Sequence, residues 1–344
     1  SRCDSCFVLI TGVVPMAPRD VRKFALGLNR GIEKASTSAE VLMIAQRRLH
    51  DFSGINAACV FRRIVTLGGL PQGDEQLREF VGQVPVMFQK DHRSKDVASA
   101  MTSLSKLQTR GMLSKEQSHL TFAELCKAGM TKVDSFNAQD FSNTMWAIAK
   151  AGVQAPEFFE KLCKAGMTKV DGFNAQELSN TMWAIAKAGV QAPEFFEQLC
   201  NAGMTKVDGF NAQNLSNTMW AIAKAGVRAP EFFEALCNAG MTKVDSFNDQ
   251  GLQMSMCAVA KVGVRCHDFY KALVRTFVHG ASASQMMTPA RSHSFPPVAS
   301  PRSVTSSQRS SSVPGRTGFA VIEVVNIVKP KKEHIYDLLR EFQP

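Results

Sequence analysis

The sequence carries none of the compact signatures that usually mark catalysis. It has no glycine-rich phosphate loop, no paired Cys/His set at zinc spacing and no nucleophile elbow. Its seven histidines, His50, His92, His119, His267, His279, His293 and His334, stand in unrelated contexts. These absences argue against an enzyme, and no catalytic residue, metal or cofactor is expected. Long apolar runs are missing too. The run from Phe7 to Val14 falls well short of the roughly 20 residues that span a bilayer, so no membrane partner is expected. Useful cysteine pairing is also lacking. Cys126, Cys163, Cys200 and Cys237 are one position copied four times. In stacked helical units such positions lie about 8–10 Å apart, beyond the reach of a disulfide at about 7 Å between Cα atoms. They read as small buried hydrophobes in a reducing compartment. Cys3-x-x-Cys6 has no second pair and no neighbouring histidine, a poor start for a metal or redox site. Acidic residues are absent from 280–317, a stretch rich in Ser and Pro that carries Arg291, Arg302, Arg309 and Arg316. It reads as a disordered basic linker.

The net charge of +10 is unevenly placed. Residues 1–120 hold 17 Lys+Arg against 11 Asp+Glu, and 264–344 hold 11 against 5. Residues 121–263 hold 12 against 14. The basic excess therefore sits at the two ends, and it is a weak argument for nucleic acid. The chain begins at Ser1 rather than Met, and its compartment is not legible there.

What is present is a repeat. Met145-Trp146, Met182-Trp183 and Met219-Trp220 follow one another at intervals of 37 residues, and a decayed copy runs from Phe247 to Gly263. A fixed period of this length means a solenoid of stacked helix pairs. In the unit, Pro156 opens a first helix, with Glu157 and Glu160 near the positive end of its dipole. Phe159, Leu162 and Cys163 form its buried side, and Gly166 is expected to close it in the left-handed conformation. Asn174 caps the second helix with Glu177 as its capping-box partner, Phe173 and Leu178 make a hydrophobic staple, and Gly189 ends it. The fold expected is an all-α, right-handed α-solenoid over 35–279, clearest over 115–263, after an N-terminal segment 1–34. Degenerate copies begin at Ser38, giving six helix pairs, and Arg265–Val278 adds one terminal helix as a cap. A short βα element fills 318–344.

At 100° per residue, Leu178, Thr181, Met182, Ile185 and Ala186 share one face of the second helix. Gln176, Asn180, Trp183 and Lys187 share the other. Repetition makes rows of Asn143, Asn180 and Asn217, of Trp146, Trp183 and Trp220, and of Lys150, Lys187, Lys224 and Lys261. A second lysine row, Lys132, Lys169, Lys206 and Lys243, follows the inter-helix loops, partly offset by Asp134, Asp171, Asp208 and Asp245. A ring that stacks a base, an amide that reads a base edge and an ammonium that meets phosphate suit single-stranded RNA. The tryptophans fit equally a role in packing between units. Two slots vary between copies: Glu124, Lys161, Gln198 and Ala235 on the first helix, and Asp140, Glu177, Asn214 and Gly251 at the start of the second. Such positions are candidates for base specificity, and the acidic members of the second-helix slot also suit a helix N-terminus. The rival reading is a protein-binding scaffold, favoured by the acidic balance of the core repeats and their many Met and Phe residues.

The helix Leu178-Ser-Asn-Thr-Met-Trp-Ala-Ile-Ala-Lys187, with its period, resembles the organellar helical-repeat family that includes octotricopeptide, heptatricopeptide and FAST-kinase-like repeats, in the form found in dinoflagellates and related protists. The resemblance covers roughly 38–279. It implies binding of organellar mRNA or rRNA, with effects on stability, processing, translation or ribosome assembly, in a mitochondrion or alternatively a plastid. It also implies ribosomal or RNA-granule proteins as partners. The nuclease-like domain that often ends such proteins is not found here, which argues against RNA cleavage. Val321–Phe342 is similar to the first strand and helix of an antibiotic-biosynthesis-monooxygenase-type ferredoxin-like domain, too short to carry that activity.

Overall fold

Each second helix starts where the capping chemistry places it. Asn174 accepts from the Glu177 amide, and the Glu177 carboxylate accepts from the Asn174 amide at 2.9 Å. Loss of such a cap costs about 1 kcal/mol. Gly189 stops the helix at φ 69°, the left-handed conformation that glycine adopts without strain. Phe173 just before the cap, and Leu178 and Met182 between cap and stop, are fully buried. The 37-residue copies repeat these features, so the architecture is the unit multiplied.

The computed structural model describes residues 18–263 and 266–286. These form α1 (Pro18–Lys34), α2 (Ser38–Arg47), α3 (Gly54–Thr66), α4 (Glu75–Gln89), α5 (Ser94–Thr109), α6 (Lys115–Met130) and α7 (Ala138–Ala151). The series continues with α8 (Pro156–Met167), α9 (Ala175–Ala188), α10 (Pro193–Met204), α11 (Ala212–Ala225), α12 (Pro230–Met241), α13 (Asp249–Val262) and α14 (His267–Met286). The described residues are thus all helix and turn, in two layers. Odd-numbered helices pack on odd-numbered neighbours from α1 to α13, and even-numbered on even from α2 to α14. The odd layer is the closer-spaced of the two, and a single apolar core runs between the layers. Consecutive packing of this kind is a solenoid. Cys3-x-x-Cys6, the Phe7–Val14 run, the linker beyond 286 and the βα element lie outside the described residues.

The six expected pairs are α2/α3 through α12/α13, and α14 is the terminal helix. It runs eight residues past Val278, so the boundary drawn at 280 falls inside it. The described part of the segment before residue 35, α1, is not separate. The fully buried Asn56 amide donates to the Ala25 carbonyl and to Asn29 Oδ1, which joins α1 to α3 as one more member of the odd layer.

Gly166 does something other than expected. It lies within α8, which is capped by Thr168 in a right-handed conformation. The helix is closed by the Thr168 hydroxyl donating to the Ala165 carbonyl. A Cβ on Gly166 would stand 2.7 Å from Cζ of Phe195. The glycine is there to admit that ring from the next unit. Gly129, Gly203 and Gly240 receive Phe158, Phe232 and Phe269 in the same way. Phe158 and its copies are therefore core residues alongside Phe159. The copied cysteines are buried and unpaired, and burial pushes the Cys126, Cys163 and Cys200 thiols up to about 12.

Candidate nucleic-acid interface

The odd layer presents one outer row per helical position. Lys150, Lys187, Lys224 and Lys261 are all exposed, and none makes a hydrogen bond or ion pair. Lys106 of α5 continues the row. Met101 and Leu104 are buried beside it as Met182 and Ile185 are beside Lys187, and Lys106 is exposed and unpaired. Its alignment was visible in the sequence, but its 44-residue spacing to Lys150 hides it from a strict search for the period. The row is thus five free ammonium groups on five neighbouring odd-numbered helices, α5 to α13.

The tryptophans stand at the boundary between core and solvent. Trp146, Trp183 and Trp220 are half-buried against the core. They also lean on one another, with ring centroids 6.4 Å and 6.2 Å apart and planes tilted by 34° and 33°. Each indole thus packs in part against the core and its neighbours, as the packing reading expects, and the rest stays accessible. Beside them, Asn143, Asn180 and Asn217 are half-buried, with amides that have no protein partner and are not sealed from solvent. Gln139, Gln176 and Gln213 are exposed one turn earlier. A groove of about 430 Å³ crosses this surface, lined by Trp146, Lys150, Trp183, Gln213, Asn217 and Met254 among others. Members of the asparagine, tryptophan and lysine rows, Asn217, Trp146, Trp183 and Lys150, therefore share this groove.

The loop lysines have a different fate. Lys169 Nζ donates to the carbonyls of Asp134 and Phe136 in the preceding unit, at 2.8 and 2.7 Å, and lies 5.3 Å from the Phe141 ring centroid. Lys206 and Lys243 repeat the contact on Asp171 and Phe173 and on Asp208 and Phe210. These three are half-buried ties between units rather than a free row. Their acceptors lie in the short 3-10 turn that precedes each second helix. Lys132 is left exposed and untied, because the unit before it has no such turn between α4 and α5. Lys90, which breaks the 37-residue register, makes the same tie to the His50 carbonyl at 2.8 Å. Asp134, Asp171, Asp208 and Asp245 keep exposed side chains on these turns.

The variable slot of the second helix is not on the open face. Asp140 and Asn214 are each 6% exposed, and Gly251 is buried, where a Cβ would stand 3.2 Å from Asn248 Oδ1 and 3.3 Å from Phe247 Cδ1. Only Glu177 is partly open, and its carboxylate is engaged in its cap. The slot is the third residue of each second helix, where capping and contact with the adjacent helix decide the residue. Asn56 and Asp96 occupy it in the first two units. As readers of an incoming base these positions are poorly placed, a correction to the specificity expected of them.

Burial is the main reason the Asp140 carboxyl is raised above its ordinary range, opposed by a hydrogen bond from Ser94 and by the Asn137 amide. A carboxyl raised in the folded state favours folding when protonated, and that contribution is lost as pH climbs from the unfolded value through the folded one. Asp140→Asn, the residue type found at 214, is therefore expected to raise the melting temperature at pH 7. The gain should vanish near pH 3, where Asp140 is itself neutral. A gain that is the same at both pH values would show that the charge is not the cause.

Among the described residues, no group of three or more His, Cys, Asp or Glu side chains could hold a metal ion, and no helix is long and apolar enough to cross a membrane. No curated protein matches the chain. A family model for the RNA-editing substrate-binding complex 6 protein matches residues 113–290, more than half of the chain. The chain belongs to this family. The matched stretch begins just before α6, and all three Asn–Trp–Lys copies and the Met254 unit lie inside it. The RNA-editing substrate-binding complex 6 family is thus recognised on the same units that build the groove, while α1 to α5 lie outside the match.

Proposed function

We propose that this protein binds single-stranded RNA along the odd-helix layer, as part of a complex that holds RNA-editing substrates. One observation carries the reading: five unpaired lysines run beside three accessible indoles and three unpartnered amides on neighbouring odd-numbered helices. Backbone phosphate, base face and base edge each find their partner type in this one stripe. The family's description supports both RNA and protein partners. The narrower kinship to octotricopeptide, heptatricopeptide and FAST-kinase-like repeats, the mitochondrial location and a binding rather than catalytic role belong to this same reading. A protein partner has a separate surface available. Met204 and Met241, at the ends of α10 and α12, are each 42% exposed, and flexible thioethers suit adaptable protein contacts.

The tryptophans supply the test. The chain has three, and all three lie on the proposed face, so intrinsic indole emission reports that face and no other. Titration with a single-stranded RNA of about a dozen nucleotides should quench or shift the emission in step with binding measured independently by anisotropy. Saturable binding with unchanged indole emission would place the RNA elsewhere.

A further inference from the structure

Resting on that reading, the next question is what kind of sequence the face selects. In most modular readers, selectivity comes from differences between units at the positions that reach the bases. Here those positions do not differ. Gln139, Asn143, Trp146 and Lys150 are the same four residue types as in the next two units, at Gln176 to Lys187 and Gln213 to Lys224. On the second helix the slot that varies is the capping slot, where Asp140, Asn214 and Gly251 are buried and the Glu177 carboxylate is held in its cap.

The pitch is also uniform. Adjacent indole centroids are 6.4 and 6.2 Å apart, nearly twice the rise of a stacked strand, about 3.4 Å per nucleotide. A strand that advances one nucleotide per unit at this pitch is drawn out and its bases are unstacked. Each base then meets an accessible indole, and its edge meets an amide with one donor group and one acceptor. The face changes at α13, where Met254 and Cys257 take the places of Asn180 and Trp183, while Lys261 keeps the cation. Upstream, α5 has Ser99 and Thr102 at these places with Lys106. Three identical reading units are therefore flanked on both sides by units that keep the lysine but neither the asparagine nor the tryptophan.

We propose that the protein selects a run of one repeated base, read at three successive positions by Asn143, Asn180 and Asn217, with flanking nucleotides held through phosphate alone. An amide can pair with any base that offers a neighbouring donor and acceptor, so the chemistry states that the three bases are alike without naming the base.

The test uses the full chain and four 12-nucleotide RNAs: poly-A, poly-U, poly-C, and a mixed strand with no two like neighbours. At fixed salt, one homopolymer is expected to bind about tenfold or more tighter than the mixed strand. The Asn143→Ala/Asn180→Ala/Asn217→Ala protein is expected to bind all four alike, with its salt dependence unchanged. Equal affinities for the four RNAs in the unmodified protein would overturn the proposal, as would a preference that survives the triple change. If the triple variant melts early, Asn180→Asp, which keeps the shape and removes the donor, is read in its place and should lower the preference. An unmodified protein that bound none of the RNAs in a salt-dependent way would instead defeat the underlying RNA reading.

Discussion

Phe195→Ala is expected to destabilise the array by about 3–5 kcal/mol, the cost of removing a fully buried aromatic ring. The ring fills the space over Gly166, where a Cβ would come within 2.7 Å of it. Gly166→Ala alone should therefore also destabilise. Overpacking costs about 1–3 kcal/mol, more than the roughly 1 kcal/mol that alanine gains over glycine in a helix. In the Phe195→Ala background the same change should turn stabilising, because the clash is gone and the propensity gain remains. A double-mutant cycle by urea unfolding reads this reversal of sign. If Gly166→Ala raises stability in both backgrounds, the glycine is not there for the ring. The pairs Gly129/Phe158, Gly203/Phe232 and Gly240/Phe269 should behave alike, since each unit contacts only its neighbours.

That pair also marks the limit of what the sequence makes legible. Period, caps, staple and helix ends follow from local chemistry, and Asn174, Glu177, Phe173 and Gly189 do in the structure what their spacing implies. Gly166 has an ordinary helix-ending context in the sequence, near the last turn and before a loop. Its true reason lies 29 residues away in the next unit, and no local rule reports it. The variable slot misled for a related cause. Variation between duplicated units looks like a code, but Asp140, Asn214 and Gly251 vary under the cover of adjacent helices, where small differences in capping are tolerated.

The two lysine rows show the same limit from the side of function. Both repeat every 37 residues, so the sequence presents them as equivalent. What separates them is the neighbour. The loop row points at the carbonyls of a 3-10 turn that the previous unit leaves without helical partners, and three of its four members are spent there. The helix row ends in the last turn of each second helix, where the side chains meet only solvent. Lys90 and Lys106 confirm that the distinction is structural. Each departs from the exact spacing, yet one makes the tie and the other joins the free row.

Changing Lys150, Lys187, Lys224 and Lys261 together to alanine should therefore weaken RNA binding without unfolding the protein. Exposed charge pairs are worth about 0.2–1 kcal/mol each. Four such contacts imply a loss between severalfold and several-hundredfold near 0.1 M salt, at about 1.4 kcal/mol per tenfold. The sharper readout is the salt dependence, because each phosphate contact on a single strand contributes about 0.7 to the slope of log affinity against log salt. The four changes should lower that slope by about 3, and Lys106→Ala should lower it by one further increment. Lys169→Ala, Lys206→Ala and Lys243→Ala should do the reverse, reducing the melting temperature while leaving the slope of the folded protein nearly as it was. The decisive comparison is between the rows. If the tied lysines change the slope as much as the free ones, the phosphates run along the loop edge, and the indole and amide stripe is not where the RNA lies.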